Sequence, residues 1–207
     1  LPWTVPGCVD GWFMLHEKFG KLPMSRILQP AIDYARKGFP LTELIAHYWG
    51  ISVRRFQKYP NFQALYAPGG VIPGKGDIFK NPQLAATYEL LVREGRDAFY
   101  RGRIARGIVK YSQKVGGYFQ LEDFSEYRSQ WVDPLSVEYR GYRVWELPPN
   151  GQGIAVLQML NMLRQFDLKT MGHNSAEYLH TLVEIKKLVY EDRARFYADP
   201  RYTDIPL

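Results

Sequence analysis

The stretch PLSVEYRGYRVWEL at residues 134–147 decides the fold class, because apolar and polar residues alternate on both sides of its Arg140-Gly141 turn. Alternation with a period of two around a glycine-containing turn is typical of a β-hairpin. A single two-stranded hairpin is only marginally stable in water. We therefore expect this hairpin to join a larger sheet whose remaining strands lie outside this sequence.

Around the hairpin, apolar residues recur at intervals of three and four, which is typical of amphipathic helices. The predicted helices are 9–19, 23–37 with a kink or restart at Pro30, 41–59, 82–94, 97–114, 121–127, 152–166 and 175–197. The Pro- and Gly-rich residues 60–80 predict a long loop with one short strand near Leu65-Tyr66. The sequence thus predicts an α+β, mainly helical fragment with one β-hairpin. Residues 1–130 would form a helical lobe, and residues 131–207 the hairpin with two long helices, as one continuous part of a larger domain.

Composition excludes several classes of protein. The 207 residues are 46% hydrophobic and 23% charged, an ordinary globular balance that predicts a sizeable core. The net charge is +6, but basic residues are mixed with acids, as in Glu94, Arg96 and Asp97, so we expect no nucleic-acid partner. No apolar run is long enough for a membrane span. The chain begins without a Met or a signal-peptide pattern, which indicates that it is part of a longer protein.

Most candidate chemical motifs fail on spacing. The glycines around Gly69-Gly70 and Gly74-Lys75-Gly76 do not form a phosphate loop, and the four histidines show no metal-ligand spacing. We therefore expect no metal and no cofactor, and the sequence offers no catalytic residue. Cys8 is the only cysteine, and we expect a small buried apolar side chain. Near the end of the last helix, Glu191 and Asp192 are spaced to form ion pairs with Arg195 on one face.

One segment has the chemistry of a binding site. In LPPNGQG, residues 147–153, a strand ends, the chain turns through two prolines and a helix begins. Backbone N–H groups at a helix N-terminus attract carboxylates and other anions. Asn150, Gly151 and Gln152 would then bind substrate, with side-chain donors and acceptors from Asn150 and Gln152. The alternative is a rigid turn that Asn150 caps.

An ordered set of segments resembles the large subunit of γ-glutamyltranspeptidases. The matching segments are VPGCVDGWF (5–13), LQPAIDYARKGF (28–39), FYRG (99–102), GG (116–117) with LEDF (121–124), YRGY (139–142), LPPNGQG (147–153) and DRAR (192–195) with ADP (198–200). Each segment alone is weakly specific, but their common order from about residue 5 to about residue 200 is specific.

The resemblance implies an N-terminal-nucleophile hydrolase with an αββα core, which residues 131–207 would join. In such a family the precursor cleaves itself, and a threonine becomes the first residue of a small subunit. That threonine attacks a γ-glutamyl amide with its own α-amino group as the base. The γ-glutamyl group then passes to water or to an amino acid. The implied partners are the small subunit of the same precursor and a γ-glutamyl small molecule such as glutathione.

This sequence lacks two hallmarks of that family. The nucleophile would lie beyond residue 207, since Thr203 is in the wrong context, and the arginine that binds the substrate α-carboxylate would lie before residue 1. The Asn-Gly-Gln turn at residues 150–152 also differs from the Ser-Ser-Gly form of glutathione-processing members. A related amidohydrolase or acylase therefore stays open as an alternative. A non-catalytic interaction module with a tyrosine-rich surface is a further one. The resemblance is compatible with a periplasmic, secreted or cytoplasmic location.

Overall fold

A computed structural model describes residues 4–206 of the chain. Residues 1–3, where the sequence shows no signal-peptide pattern, and residue 207 lie outside the described range. The chain divides into two compact units, one ending at Ser129 and the other beginning at Gln130. The assignment of these units to a helical lobe and to an αββα core remains a prediction.

The first unit is built of eight α-helices and one short ladder within its described residues. The helices are α1 (Cys8–Phe19), α2 (Met24–Lys37), α3 (Glu43–Arg55), α4 (Pro60–Tyr66), α5 (Pro82–Glu94), α6 (Asp97–Tyr100), α7 (Arg103–Lys114) and α8 (Leu121–Ser125). Strands β1 (Phe39–Pro40) and β2 (Ile78–Phe79) form a two-residue antiparallel ladder. Apolar side chains from several of these helices form one continuous core that includes Ile32, Ala85, Leu91, Ala105, Val109 and Phe124.

The helix boundaries follow local signals in most places. Asn81 accepts a hydrogen bond from the Leu84 N–H (3.0 Å) and caps α5. Gly38, with a φ of 92°, ends α2. Pro30 lies inside α2, which continues through it as one helix. Polar caps and left-handed glycines supply partners for backbone groups that a helix end leaves unsatisfied.

Three predictions of secondary structure in this unit are wrong. Residues 60–66 form a helix instead of a loop with a strand at Leu65-Tyr66, because Phe62 and Tyr66 pack as a pair (4.5 Å between ring centroids) and Pro suits a first helical position. The predicted helix 41–59 already ends at Arg55. The predicted helix 97–114 is split at Gly102, where a Cβ would lie 2.4 Å from the Ala98 carbonyl oxygen.

The second unit contains the predicted hairpin. Strands β3 (Leu135–Tyr139) and β4 (Tyr142–Glu146) pair antiparallel, with Val137 opposite Val144. Helices α9 (Gly153–Leu163), α10 (Leu168–Met171) and α11 (Ala176–Phe196) follow. A smaller core joins α9 to α11 through Ala155, Leu163, Ile185 and Val189. Within residues 130–206 no third strand pairs with the hairpin. The α+β, mainly helical class is confirmed, and β1–β2 adds a ladder that the sequence did not predict.

Candidate functional site

The predicted binding segment forms a tight connection between β4 and α9. β4 ends at Glu146, and the turn runs through Asn150 and Gly151 to Gln152, the residue that precedes α9. Asn150, Gly151 and Gln152 are all exposed, and the Pro149–Asn150 peptide bond is cis. The structure therefore brings the three predicted site residues together on one solvent-facing turn.

The absence of a side chain at Gly153 allows the connection between β4 and α9 to be short. A Cβ at this position would lie 2.6 Å from the Glu146 Oε2 atom and 3.1 Å from the Leu147 carbonyl oxygen. The Glu146 Cβ would lie only 2.8 Å away, closer than Cβ atoms approach one another, so the first residue of α9 packs directly on the end of β4. A glycine here permits close packing between a strand and the following helix, which fixes where the N-terminus of α9 points.

The N-terminus of α9 has no side-chain cap. Gln152 is the capping residue, and its side chain makes no capping bond. The alternative prediction that Asn150 caps this helix is therefore wrong, because the turn places Asn150 two residues too early. The Ala155 N–H bonds the Gln152 carbonyl (3.0 Å). An uncapped helix start carries partial positive charge on its N–H groups and suits a carboxylate or another anionic group.

Sequence reasoning missed two residues, Gln158 and Tyr197, which form a hydrogen-bonded group with Asp192 in the second unit. The Tyr197 hydroxyl donates a hydrogen bond to Gln158 Oε1, and Gln158 Nε2 donates to Asp192 Oδ2 (3.2 Å). Burial, and after it the negative charge of Asp192, raise the pKa of Tyr197 above its ordinary value. The signal in the sequence was Gln158 itself, a polar residue within the otherwise apolar residues 154–160. Asp192 bonds Gln158, and the predicted ion pairs of Glu191 and Asp192 with Arg195 do not form among the described residues.

The first unit holds a second buried polar cluster around Asp10. Asp10, which is 5% exposed, is paired with Arg96 and also accepts from the Ser129 N–H. Arg96 donates to the Tyr127 carbonyl (2.6 Å) and covers the ring of Tyr100. Burial acts to raise the pKa of Asp10, but the bonds from Ser129 and Arg96 outweigh it and hold that pKa below its ordinary value. We interpret this cluster as structural, because every polar group in it already has a protein partner.

Other candidate groups carry no site. Cys8 is exposed, so the prediction of a buried thiol is wrong: its neighbours Val9 and Asp10 take the inward positions at the start of α1. Among the described residues, no group of three His, Cys, Asp or Glu side chains could hold a metal ion. No helix within that same range is long and apolar enough to cross a membrane.

Comparison with known proteins gives a consistent result over the whole chain. The family model described as Gamma-glutamyltranspeptidase matches residues 1–207. The glutathione hydrolase-like YwrD proenzyme of Bacillus subtilis (strain 168) is 37% identical over 204 residues, which are 99% of this chain and 39% of the relative. The chain therefore spans well under half of that relative's length.

Two solved structures are also similar. The γ-glutamyltranspeptidase of Helicobacter pylori superposes with a TM-score of 0.91 at 29% identity, covering 98% of this chain and 58% of the other. The cephalosporin acylase of Bacillus halodurans superposes with a TM-score of 0.90 at 34% identity, covering 98% of this chain and 39% of the other. The fold and the ordered sequence segments thus point to the same group of proteins.

Proposed function

Because this chain belongs to the γ-glutamyltranspeptidase family and has the fold of an N-terminal-nucleophile hydrolase, we propose that it forms part of an enzyme that cleaves γ-glutamyl amide bonds. The match of the family model to residues 1–207 carries this proposal. The hydrolase would act on a donor such as glutathione and transfer the γ-glutamyl group to water or to an amino acid.

The nucleophile would come from a second chain of the same precursor. A threonine at the start of that small subunit attacks the γ-carbonyl carbon, and its α-amino group takes the hydroxyl proton. The amide C–N bond then breaks, and the leaving amine takes up that proton. Water or an amino acid finally cleaves the resulting ester. The proenzyme name of the Bacillus subtilis relative supports this division into two subunits. By this proposal the 207-residue chain alone is inactive.

The turn at Asn150, Gly151 and Gln152 would contribute to substrate binding. Its support is the uncapped start of α9 and the exposed amide side chains on both sides of Gly151. The N–H groups there would hold an anionic part of the substrate, such as a carboxylate. The amide side chains of Asn150 and Gln152 carry both donors and acceptors, and they would then orient this part of the substrate.

A second candidate function is hydrolysis of a different amide by the same chemistry. The similarity to a cephalosporin acylase, with 34% identity across 98% of this chain, favours it. The Asn-Gly-Gln sequence of the turn also differs from the Ser-Ser-Gly form expected for glutathione-processing members.

The test compares the full-length protein with the 207-residue chain on γ-glutamyl-p-nitroanilide, with a cephalosporin side-chain amide as the competing substrate. We expect γ-glutamyl hydrolysis by the full-length protein alone. Cleavage of only the cephalosporin amide would replace the first proposal by the second. Activity of the isolated chain would contradict the assignment of the nucleophile to the other subunit.

The variants Asn150→Ala and Gln152→Ala test the turn. Each should raise the KM of the full-length protein, and unchanged kinetic constants would exclude the turn from substrate binding.

A further inference from the structure

The hydrogen bonds of Gln158 join the two long helices of the second unit, α9 and α11. Gln158 is five residues into α9, about 8 Å along the axis from Gly153. Its partner Tyr197 is the residue at which α11 ends, and Asp192 lies in the last turns of α11. The amide of Gln158 therefore ties the middle of α9 to the C-terminal end of α11.

The chemistry of the two partners fixes the orientation of this amide. Asp192 as a carboxylate only accepts hydrogen bonds, and the Tyr197 hydroxyl here donates one. One side chain must then present an acceptor and a donor in the same plane, at the length of glutamine. Leucine has the size but neither group, and glutamate has two acceptors that would face the Asp192 carboxylate.

The apolar contacts between α9 and α11 do not by themselves fix the orientation of α9. Ala155 and Leu163 of α9 pack on Ile185 and Val189 of α11, one turn or more away from Tyr197. Apolar contacts resist separation of the two helices but are not directional. The hydrogen bonds of Gln158 are directional, so they fix the rotation and axial position of α9 at its middle, and the helix carries that placement to its N-terminus after the turn 150–152.

From this geometry we infer that Gln158 is a positioning residue for the substrate turn at residues 150–152, acting through its two bonds to the end of α11. The inference rests on the proposed function for the role of the turn. The position of the turn itself can be measured without any activity. The raised pKa of Tyr197 agrees with a hydroxyl that stays protonated and donates at neutral pH.

The experiment uses the full-length protein with Gln158→Leu, which removes both bonds at similar side-chain size, and Tyr197→Phe, which removes one. Met162→Ala is the matched control, because Met162 packs on the same α9–α11 core but makes none of these bonds. Gln158→Leu should speed hydrogen exchange of the amides at residues 155–158, where the hydrogen bonds of α9 begin, about tenfold, as net loss of one or two hydrogen bonds would. The KM for γ-glutamyl-p-nitroanilide should rise by a similar factor while kcat changes little, with Tyr197→Phe intermediate.

The control separates positioning from general stability. Met162→Ala should lower the melting temperature at least as much as Gln158→Leu, yet leave exchange at residues 155–158 and the KM near their original values. Equal effects of both variants on exchange, or no effect of Gln158→Leu, would overturn the inference. If the protein does not cleave the γ-glutamyl substrate but Gln158→Leu still speeds exchange at residues 155–158, the proposed function fails and the positioning role stands.

Discussion

The two units of this chain satisfy their buried polar groups with different kinds of hydrogen-bonding partners. The first unit buries a charged pair, Asp10 with Arg96, and surrounds it with backbone N–H and carbonyl partners and the ring of Tyr100. The second unit relies on Gln158, whose neutral amide bonds Tyr197 and Asp192 at the half-exposed margin of a smaller core. A buried ion pair is costly to break, whereas hydrogen bonds of a neutral amide contribute less to stability but fix an orientation. The first arrangement suits a rigid scaffold, and the second suits the positioning role that we propose for Gln158.

The largest expected effect comes from breaking the buried pair. Arg96→Ala should lower the free energy of unfolding by about 3–5 kcal/mol, because it leaves the Asp10 carboxylate buried without its cationic partner. Urea denaturation measures this difference. Glu89→Ala is the control, since it removes the exposed Arg36–Glu89 pair and should cost roughly 0–1 kcal/mol. Similar losses for the two variants would contradict the structural role of the Asp10 cluster.

A smaller effect is expected in the second unit at Gly153. Gly153→Ala should cost about 1–3 kcal/mol, because the added methyl group would overlap the Glu146 side chain. The same substitution at Gly107 in α7 meets no atom within 4 Å and should stabilise the protein by roughly 0.5–1 kcal/mol through helix propensity. Thermal melts of both variants test this. A Gly153→Ala variant that is as stable as the original protein, or more stable, would show that the β4–α9 connection tolerates displacement.

The Asp10 cluster should also make stability depend on pH in one direction. The folded-state pKa of Asp10 is lower than its unfolded value, so its contribution is complete above the ordinary aspartate pKa of about 4. This contribution is lost as the pH falls through the lower folded-state pKa. Asp10→Asn should therefore be less stable than the original protein at pH 7, and the difference should shrink below about pH 4. A difference that is constant with pH would contradict this assignment.

The smallest expected effect is at Cys8. Because its side chain is exposed, Cys8→Ser should change the free energy of unfolding by less than about 0.5 kcal/mol. Reaction with a thiol reagent should be complete in the folded protein. A thiol that reacts only after addition of urea would contradict the exposed position and restore the original prediction of burial.

Local patterns in the sequence predicted the elements well and the polar contacts poorly. The hairpin and the helices predicted at 82–94 and 175–197 depend on neighbouring residues, and the structure contains them as β3–β4, α5 and α11. The helix at residues 60–66 was missed because its aromatic side chains are held by contacts with other parts of the first unit, such as that of Tyr66 with Trp49. Tertiary contacts of this kind override weak local preferences.

The polar clusters could not be derived from spacing, because their members are far apart in the chain. Asp10 and Arg96 are 86 residues apart, and the sequence alone grouped Arg96 with its neighbours Glu94 and Asp97 as mixed surface charge. Gln158 and Tyr197 are 39 residues apart. In contrast, Asn150, Gly151 and Gln152 are consecutive, and for that reason the turn was identifiable from the sequence. Its role in binding substrate remains a prediction.

The hairpin has one more consequence, which concerns the handling of this chain by itself. Within the described part of the second unit, β3 and β4 pair only with each other, so each strand presents an outer row of backbone donors and acceptors. An uncovered strand edge is a template for the same strand of another molecule. Self-association through such an edge grows with the number of molecules per volume. Protein concentration is thus expected to limit how long a sample of the isolated chain stays monodisperse.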